Sequence, residues 1–217
     1  MGEVAVLMPT LRRPESLARA LRSLFAQEDA AQLIGAIVVV DNSPEGSAAP
    51  VVDALTSASP VPLIYAHEPH PGVATARNTG LALIHAPYVA FLDDDEEAPT
   101  TWLKSLLSVH KCGNSLMTRK GALDGPQPFD PAYDQVGGED DRLYQALDRR
   151  GAVFAWAAEA WVYEHAPDHR CRVSYALRRA FSFGQTPTTD AAHVRDWAGV
   201  VRWMAIGARK LLGLKEE

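Results

Sequence analysis

The sequence predicts an α/β fold, a three-layer sandwich in which a mostly parallel sheet is covered by helices on both faces. Three observations carry this. The short runs Val4–Met8, Ala36–Val40, Pro62–Ala66 and Tyr88–Leu92 are nearly all apolar, as strands buried on both faces are. Segments of helical period separate them, the pattern of strands joined by crossover helices. Finally, Pro9-Thr10, Asp41-Asn42-Ser43 and Asp93-Asp94-Asp95 follow directly on three of the runs. Ligands of open α/β sheets bind at such carboxyl ends.

Taken in order, Val4–Met8 is the first strand. Pro14 is placed to open a helix, since at the first helical position its missing N–H loses no bond; Leu17, Leu21 and Leu24 supply the apolar stripe. Ala36–Val40 is the second strand, 48–57 a helix and 62–66 the third strand. Gly72 opens a helix running to about Ile84, 88–92 is the fourth strand, and Thr100 to about Ser108 is helical. After residue 112 the alternation breaks. Residues 113–117 read as a short strand. A helix follows Gly137-Gly138-Glu139-Asp140, with Leu143, Ala146 and Leu147 on its apolar side, and ends near Gly151. Val153–Trp156 and Trp161–Tyr163 read as short strands, with Trp156 expected in the core. Helices at about 170–183 and 194–212 finish the chain. The expected division is a domain over 1–165 and a helical extension over 166–217.

The chain has 217 residues, 47% hydrophobic and 22% charged, enough to bury a sizeable core without staples. Its two cysteines, Cys112 and Cys171, form no CxxC pair, which argues against a zinc site or disulfide framework and for a cytoplasmic location. No signal peptide is read, and no apolar run approaches the ~18 residues of a spanning helix. Net charge is uneven: −10 over residues 1–165 and +4 over 166–217. The acidic part argues against nucleic acid as a partner. The basic helix at the end, carrying Trp197, Arg202, Arg209 and Lys210, either packs on the domain or lies on the inner face of an anionic membrane.

Asp93-Asp94-Asp95-Glu96-Glu97 is the densest charge in the chain. Alone, it is a solvated acidic turn. At a strand end beside two other polar clusters, it also suits a hard divalent cation such as Mg²⁺ or Mn²⁺, which prefers oxygen ligands and bridges carboxylates to substrate phosphates.

The opening strand with Pro9-Thr10, the run Val38–Ser43, Gly72-Val73-Ala74-Thr75-Ala76-Arg77-Asn78, Phe91–Asp95 and Gly138-Glu139-Asp140 occur in this order. Together they resemble the family 2 glycosyltransferases of the GT-A (Rossmann-like) fold, over residues 4 to about 165. The resemblance implies transfer of a sugar from a nucleotide-sugar donor to an acceptor hydroxyl, with inversion and with Mn²⁺ or Mg²⁺. Asp95 is then the metal ligand, and Asp93 lies near the ribose with Asp94 beside it. Pro9 and Thr10 belong to the nucleotide site. Glu96 and Glu97 are expected to be solvated and outside the site. Asp41 takes the position that contacts the base, where a carboxylate accepts the N–H of uracil, so a UDP-sugar is expected; otherwise Asp41-Asn42-Ser43 is a turn bonded to its own backbone. Arg77 is placed near the diphosphate or on a helix surface, and Asn78 contacts the nucleotide or braces the loop. Gly72 opens a helix whose free N–H groups attract anions.

Asp140 is implied as the general base, with Glu139 orienting the acceptor. Carboxylates at a helix start are also plain helix caps. His165 is a candidate second metal ligand. The acceptor implied is a saccharide or lipid-linked saccharide. Rival readings are a nucleotidyltransferase and a non-catalytic sugar-nucleotide-binding relative. One departure stands out: Glu139 follows Asp95 by only 44 positions, shorter than the family pattern. A segment near 110–113 is therefore expected to be missing or deleted.

Overall fold

The computed structural model describes residues 2–108, 116–134, 137–166, 168–175, 177–178, 188, 191–192 and 195–211, with side chains of the last helix described to Ile206. The chain divides into two compact units, Met1–His165 and Ala166–Glu217.

In the first unit, β1 (Val4–Thr10), β2 (Ile34–Asp41), β3 (Leu63–His67), β4 (Tyr88–Phe91) and β6 (Leu116–Thr118) form one sheet in the order β3-β2-β1-β4-β6. All neighbours are parallel except β4 and β6. A second small sheet pairs β5 (Glu96–Glu97) with β7 (Tyr163–Glu164), antiparallel.

The pleat divides β1 between two cores. Val4, Val6 and Met8 face Leu17, Leu21 and Leu24 of α1 (Pro14–Phe25) and Trp102, Leu103 and Leu106 of α5 (Trp102–Ser108). Ala5 and Leu7 face Ala74, Ala76 and Leu81 of α4 (Val73–Ala82) and Leu143 and Leu147 of α6 (Glu139–Arg149). The expected three-layer sandwich follows from this alternation. The small helices α2 (Ala30–Leu33) and α3 (Ala49–Thr56) flank β2.

α4 lies close against the sheet because Gly80 has no side chain. A Cβ there would press into Leu7 and come within 2.8 Å of Val40 Cγ2, both fully buried. In Gly80→Ala, overpacking of about 1–3 kcal/mol is expected to exceed the roughly 0.5–1 kcal/mol gained in helix propensity. The denaturant midpoint should fall; a rise would mean that the contact relaxes freely.

Several expectations are corrected. Val153–Trp156 joins no sheet, and Trp156 is 82% exposed rather than core. β7 begins at Tyr163 rather than Trp161 and is two residues long. Glu96 and Glu97 form a strand instead of a solvated turn, since β7 supplies a partner far along the chain. The expected junction near 110–113 and much of the helix expected at 170–183 lie outside the described residues, as does Cys112. In the second unit, Trp197–Leu211 is a helix. Among the described residues no helix is long and apolar enough to cross a membrane.

Candidate active site

The polar clusters meet at the carboxyl edge of the sheet because the strands are in register. Thr10 sits opposite Asp41, and β4 runs beside β1 to deliver Asp93, Asp94 and Asp95 just past its end. Thr10 Oγ1 donates to Asp94 Oδ2 at 2.7 Å. Arg13, in the turn before α1, places Nη1 2.8 Å from both Asp94 Oδ1 and Asp95 Oδ2. One guanidinium thus sits between two carboxylates.

The three aspartates differ. Asp94 is buried, and burial pushes its carboxyl up against the pull of Thr10 and Arg13. The Asp95 side chain is 13% exposed. Asp93 is the open one, 55% exposed. Its carboxyl is pushed up by partial desolvation, opposed by Arg77 and reinforced by Asp95, Asp94 and Asp140. Asp140 follows Glu139 at the start of α6, and Arg77 reaches both Glu139 and Asp93.

Glu96 is half-buried. Its Oε2 accepts the Asp93 N–H at 3.0 Å, and desolvation with the charges of Asp93, Asp95 and Glu164 pushes its pKa to about 7. An acid held above its unfolded value of 4.5 loses stabilisation as pH rises, because the unfolded chain releases the proton first. In EDTA at about pH 8, Glu96→Gln should therefore stabilise the fold by about 1–2 kcal/mol after discounting for solvent screening. The gain should shrink as pH falls through 7. Denaturation at both pH values checks this; an equal gain at pH 5 would refute it.

Other expected site residues are turned inward. Asp41 is fully buried. Its Oδ1 accepts Ser43 N–H and Oγ–H, and its Oδ2 accepts Ala48 N–H at 2.6 Å and Tyr65 O–H at 3.2 Å. It organises the loop after β2, as the expected turn bonded to its own backbone would. Asn42 bridges the carbonyls of Glu68 and His70 and accepts Gly72 N–H. Gly72 serves a close approach, but to Asp134, whose carboxyl fills the space a Cβ would need and accepts Thr75 N–H at 3.0 Å. The protein's own carboxylate therefore covers the α4 start where a ligand anion was expected. Asn78 pairs with both N–H and C=O of Phe129 and is a brace. Pro9 lies within β1.

Arg77 is not on a helix surface. Nη1 lies 2.5 Å from Glu139 Oε1 and Nη2 3.8 Å from Asp93 Oδ1, with the guanidinium over the rings of Phe129 and Phe91. Glu139 is buried, and burial pushes its carboxyl up against the Arg77 charge. Asp140 is exposed, its Oδ1 accepting Asp141 N–H. His165 lies beside the acidic turn. Its Nε2 lies 2.7 Å from Glu97 Oε1, and its backbone N–H donates to the Asp95 carbonyl oxygen at 2.8 Å. The Arg13 bridge and the Glu97–His165 pair were hidden from sequence reasoning. Finding them required knowing that the turn after β1 and the strand at 163–164 both reach the acidic turn.

Among the described residues no group of three or more His, Cys, Asp or Glu could hold a metal by itself. The pair bridged by Arg13 fits a different kind of cation site. A positive charge already stands between Asp94 and Asp95, and Mg²⁺-type ions are bound by one or two carboxylates with substrate phosphates completing the sphere. A cavity of about 310 Å³ opens beside α6, lined by Asp124, Asp130, Glu139, Arg142, Arg149 and Arg150.

Residues 5–150 match the family described as Glycosyl transferase family 2. The succinoglycan biosynthesis protein ExoM of Rhizobium meliloti is 29% identical, over 82% of this chain and 71% of its own length. The pre-mycofactocin glycosyltransferase of Mycobacterium tuberculosis is 36% identical over 51% of this chain, which spans 21% of that protein. Among solved structures, the mannosyltransferase PcManGT of Pyrobaculum calidifontis, in complex with GDP-Man and Mn²⁺, superposes with a TM-score of 0.66 at 18% identity, covering 88% of this chain and 64% of that one. With the parallel sheet and its carboxylate edge, these matches establish the GT-A fold, and the chain belongs to glycosyl transferase family 2.

Proposed function

We propose that the first unit transfers a sugar from a nucleoside diphosphate sugar to an acceptor hydroxyl with inversion at the anomeric carbon, and that the second is a basic extension. One observation carries this: the acidic turn after β4 and the carboxylates opening α6 share an edge, with Arg77 touching Glu139 and reaching Asp93. Asp140 is the exposed carboxylate able to take the acceptor proton, and Glu139 orients the acceptor. As the acceptor oxygen bonds to the anomeric carbon, the bond to the diphosphate breaks and the electron pair leaves with it. Asp95 would hold Mn²⁺ or Mg²⁺, with Asp94 beside it, and the ion would neutralise charge on the leaving diphosphate. The PcManGT complex with Mn²⁺ supports that choice.

The expectation of uridine rested on Asp41, whose oxygens are taken by Ser43, Ala48 and Tyr65, so the donor class proposed is a nucleoside diphosphate sugar with no base specified. The name of the rhizobial relative supports a saccharide acceptor in polysaccharide or glycoconjugate assembly. A lipid-linked saccharide would suit the basic helix Trp197–Leu211 at an anionic membrane; cosedimentation with vesicles containing phosphatidylglycerol should retain the protein, and none pelleting would remove that placement. Incubation with Mn²⁺ and a panel of UDP, GDP and dTDP sugars should release nucleoside diphosphate. No release and no nucleotide binding with any donor would overturn the assignment.

A further inference from the structure

Resting on the glycosyl-transfer role proposed for Asp140, we infer that Arg77 is a positioning residue for the base helix, acting through Glu139 rather than as a diphosphate ligand. The observation behind this is where three of the polar side chains of α4 go, the fourth, Thr79, donating to Glu68. Thr75 holds Asp134, Arg77 holds Glu139, and Asn78 holds both backbone groups of Phe129. All three partners lie on the single segment 129–139 that leads into α6. The motif expected to grip the donor is spent on fixing the segment that carries the base.

α6 needs such a hold. Its N-cap is Gly138, at φ 89° and with no side-chain cap bond, and Gly137 before it is at φ 74°. Two glycines in the left-handed region make a permissive lead-in, and no side chain caps the helix start. Glu139 is anchored instead by charge. Its side chain is 7% exposed and Arg77's is 12% exposed, and a buried carboxylate needs its partner. The guanidinium itself rests over the rings of Phe91 and Phe129, which pack edge to face. Glu139 and Asp140 are consecutive residues of that first turn, so anchoring one fixes the backbone from which the other projects. A misplacement of about 1 Å in a reacting group is worth on the order of 10²-fold in rate.

Arg77→Gln, Arg77→Lys, Glu139→Gln and the Arg77→Gln/Glu139→Gln double variant test this, each checked for folding by thermal denaturation. The binding probe is UDP or GDP with Mn²⁺. Expected are a fall in kcat of about 10–100-fold for Arg77→Gln, partial recovery in Arg77→Lys, diphosphate affinity within about twofold of wild type, and a double variant no slower than the slower single. A roughly tenfold loss of diphosphate affinity with kcat preserved at saturation, or additive losses in the double variant, would overturn it. A wild-type enzyme silent with every donor would instead remove the glycosyl-transfer assignment, and the base role with it. The unfolding double-mutant cycle would then still report the Arg77–Glu139 contact, and an additive cycle would refute that as well.

Discussion

Asp140→Asn is expected to reduce sugar transfer by about 10²–10⁴-fold while leaving nucleotide binding within about twofold of wild type. Asp140 is exposed at the start of α6, and the one bond its side chain is shown to make is local, from Asp141 N–H to Oδ1. An asparagine oxygen can accept that bond, and the loss of one charge from the first turn of α6 costs only about 0.3–1 kcal/mol. The fold should therefore be untouched, with a melting temperature close to wild type. Only the ability to take up a proton is removed. If Asp140 were simply a favourable charge at a helix terminus, the variant would turn over normally. A kinetic assay of nucleoside diphosphate release, run beside equilibrium nucleotide binding, separates the two cases.

Asp41→Ala is expected to have the largest effect on stability, about 3–5 kcal/mol. The carboxylate is fully buried and accepts from four donors on Ser43, Ala48 and Tyr65. Truncation leaves Ser43 N–H, Ala48 N–H and the Tyr65 hydroxyl without that acceptor, and each buried orphan costs about 1–3 kcal/mol. The Tyr65 phenol, pushed to about 12 by burial and then by the Asp41 charge, stays a donor at any working pH. Denaturation by urea should show a lower midpoint at unchanged slope. A loss below about 1 kcal/mol would mean that solvent satisfies the loop and the network matters little.

The central sheet was legible in the sequence because buried parallel strands leave runs such as Ala36–Val40, which local composition alone reveals. The meeting of the polar clusters at one sheet edge was legible too, since each follows directly on an apolar run. What was not legible depends on pairing across long separations. Glu96 and Glu97 read as a solvated turn until Tyr163 and Glu164 are known to pair with them. Arg13 carries no signal in its own neighbourhood, yet it stands between Asp94 and Asp95. Asp41 was read as a base contact or as a turn bonded to its own backbone, and the latter matches the geometry; Arg77 was read as near the diphosphate or on a helix surface. In both cases a buried charge found its partner inside the protein, in the loop after β2 and in Glu139 respectively. Trp156 failed for the opposite reason: an apolar run suggested core, but the segment after α6 joins no sheet.

The most direct test of a metal-dependent donor site at the acidic turn is a thermal-shift titration of wild type and Asp95→Asn with UDP, GDP and dTDP sugars, each with and without Mn²⁺. At a ligand concentration near 100 Kd, linkage stabilises by about 2.7 kcal/mol, roughly 5–10 °C here. Wild type should show that shift only when nucleotide and Mn²⁺ are both present, and Asp95→Asn should show none. A nucleotide shift that ignores the metal, or one that survives in Asp95→Asn, would contradict it.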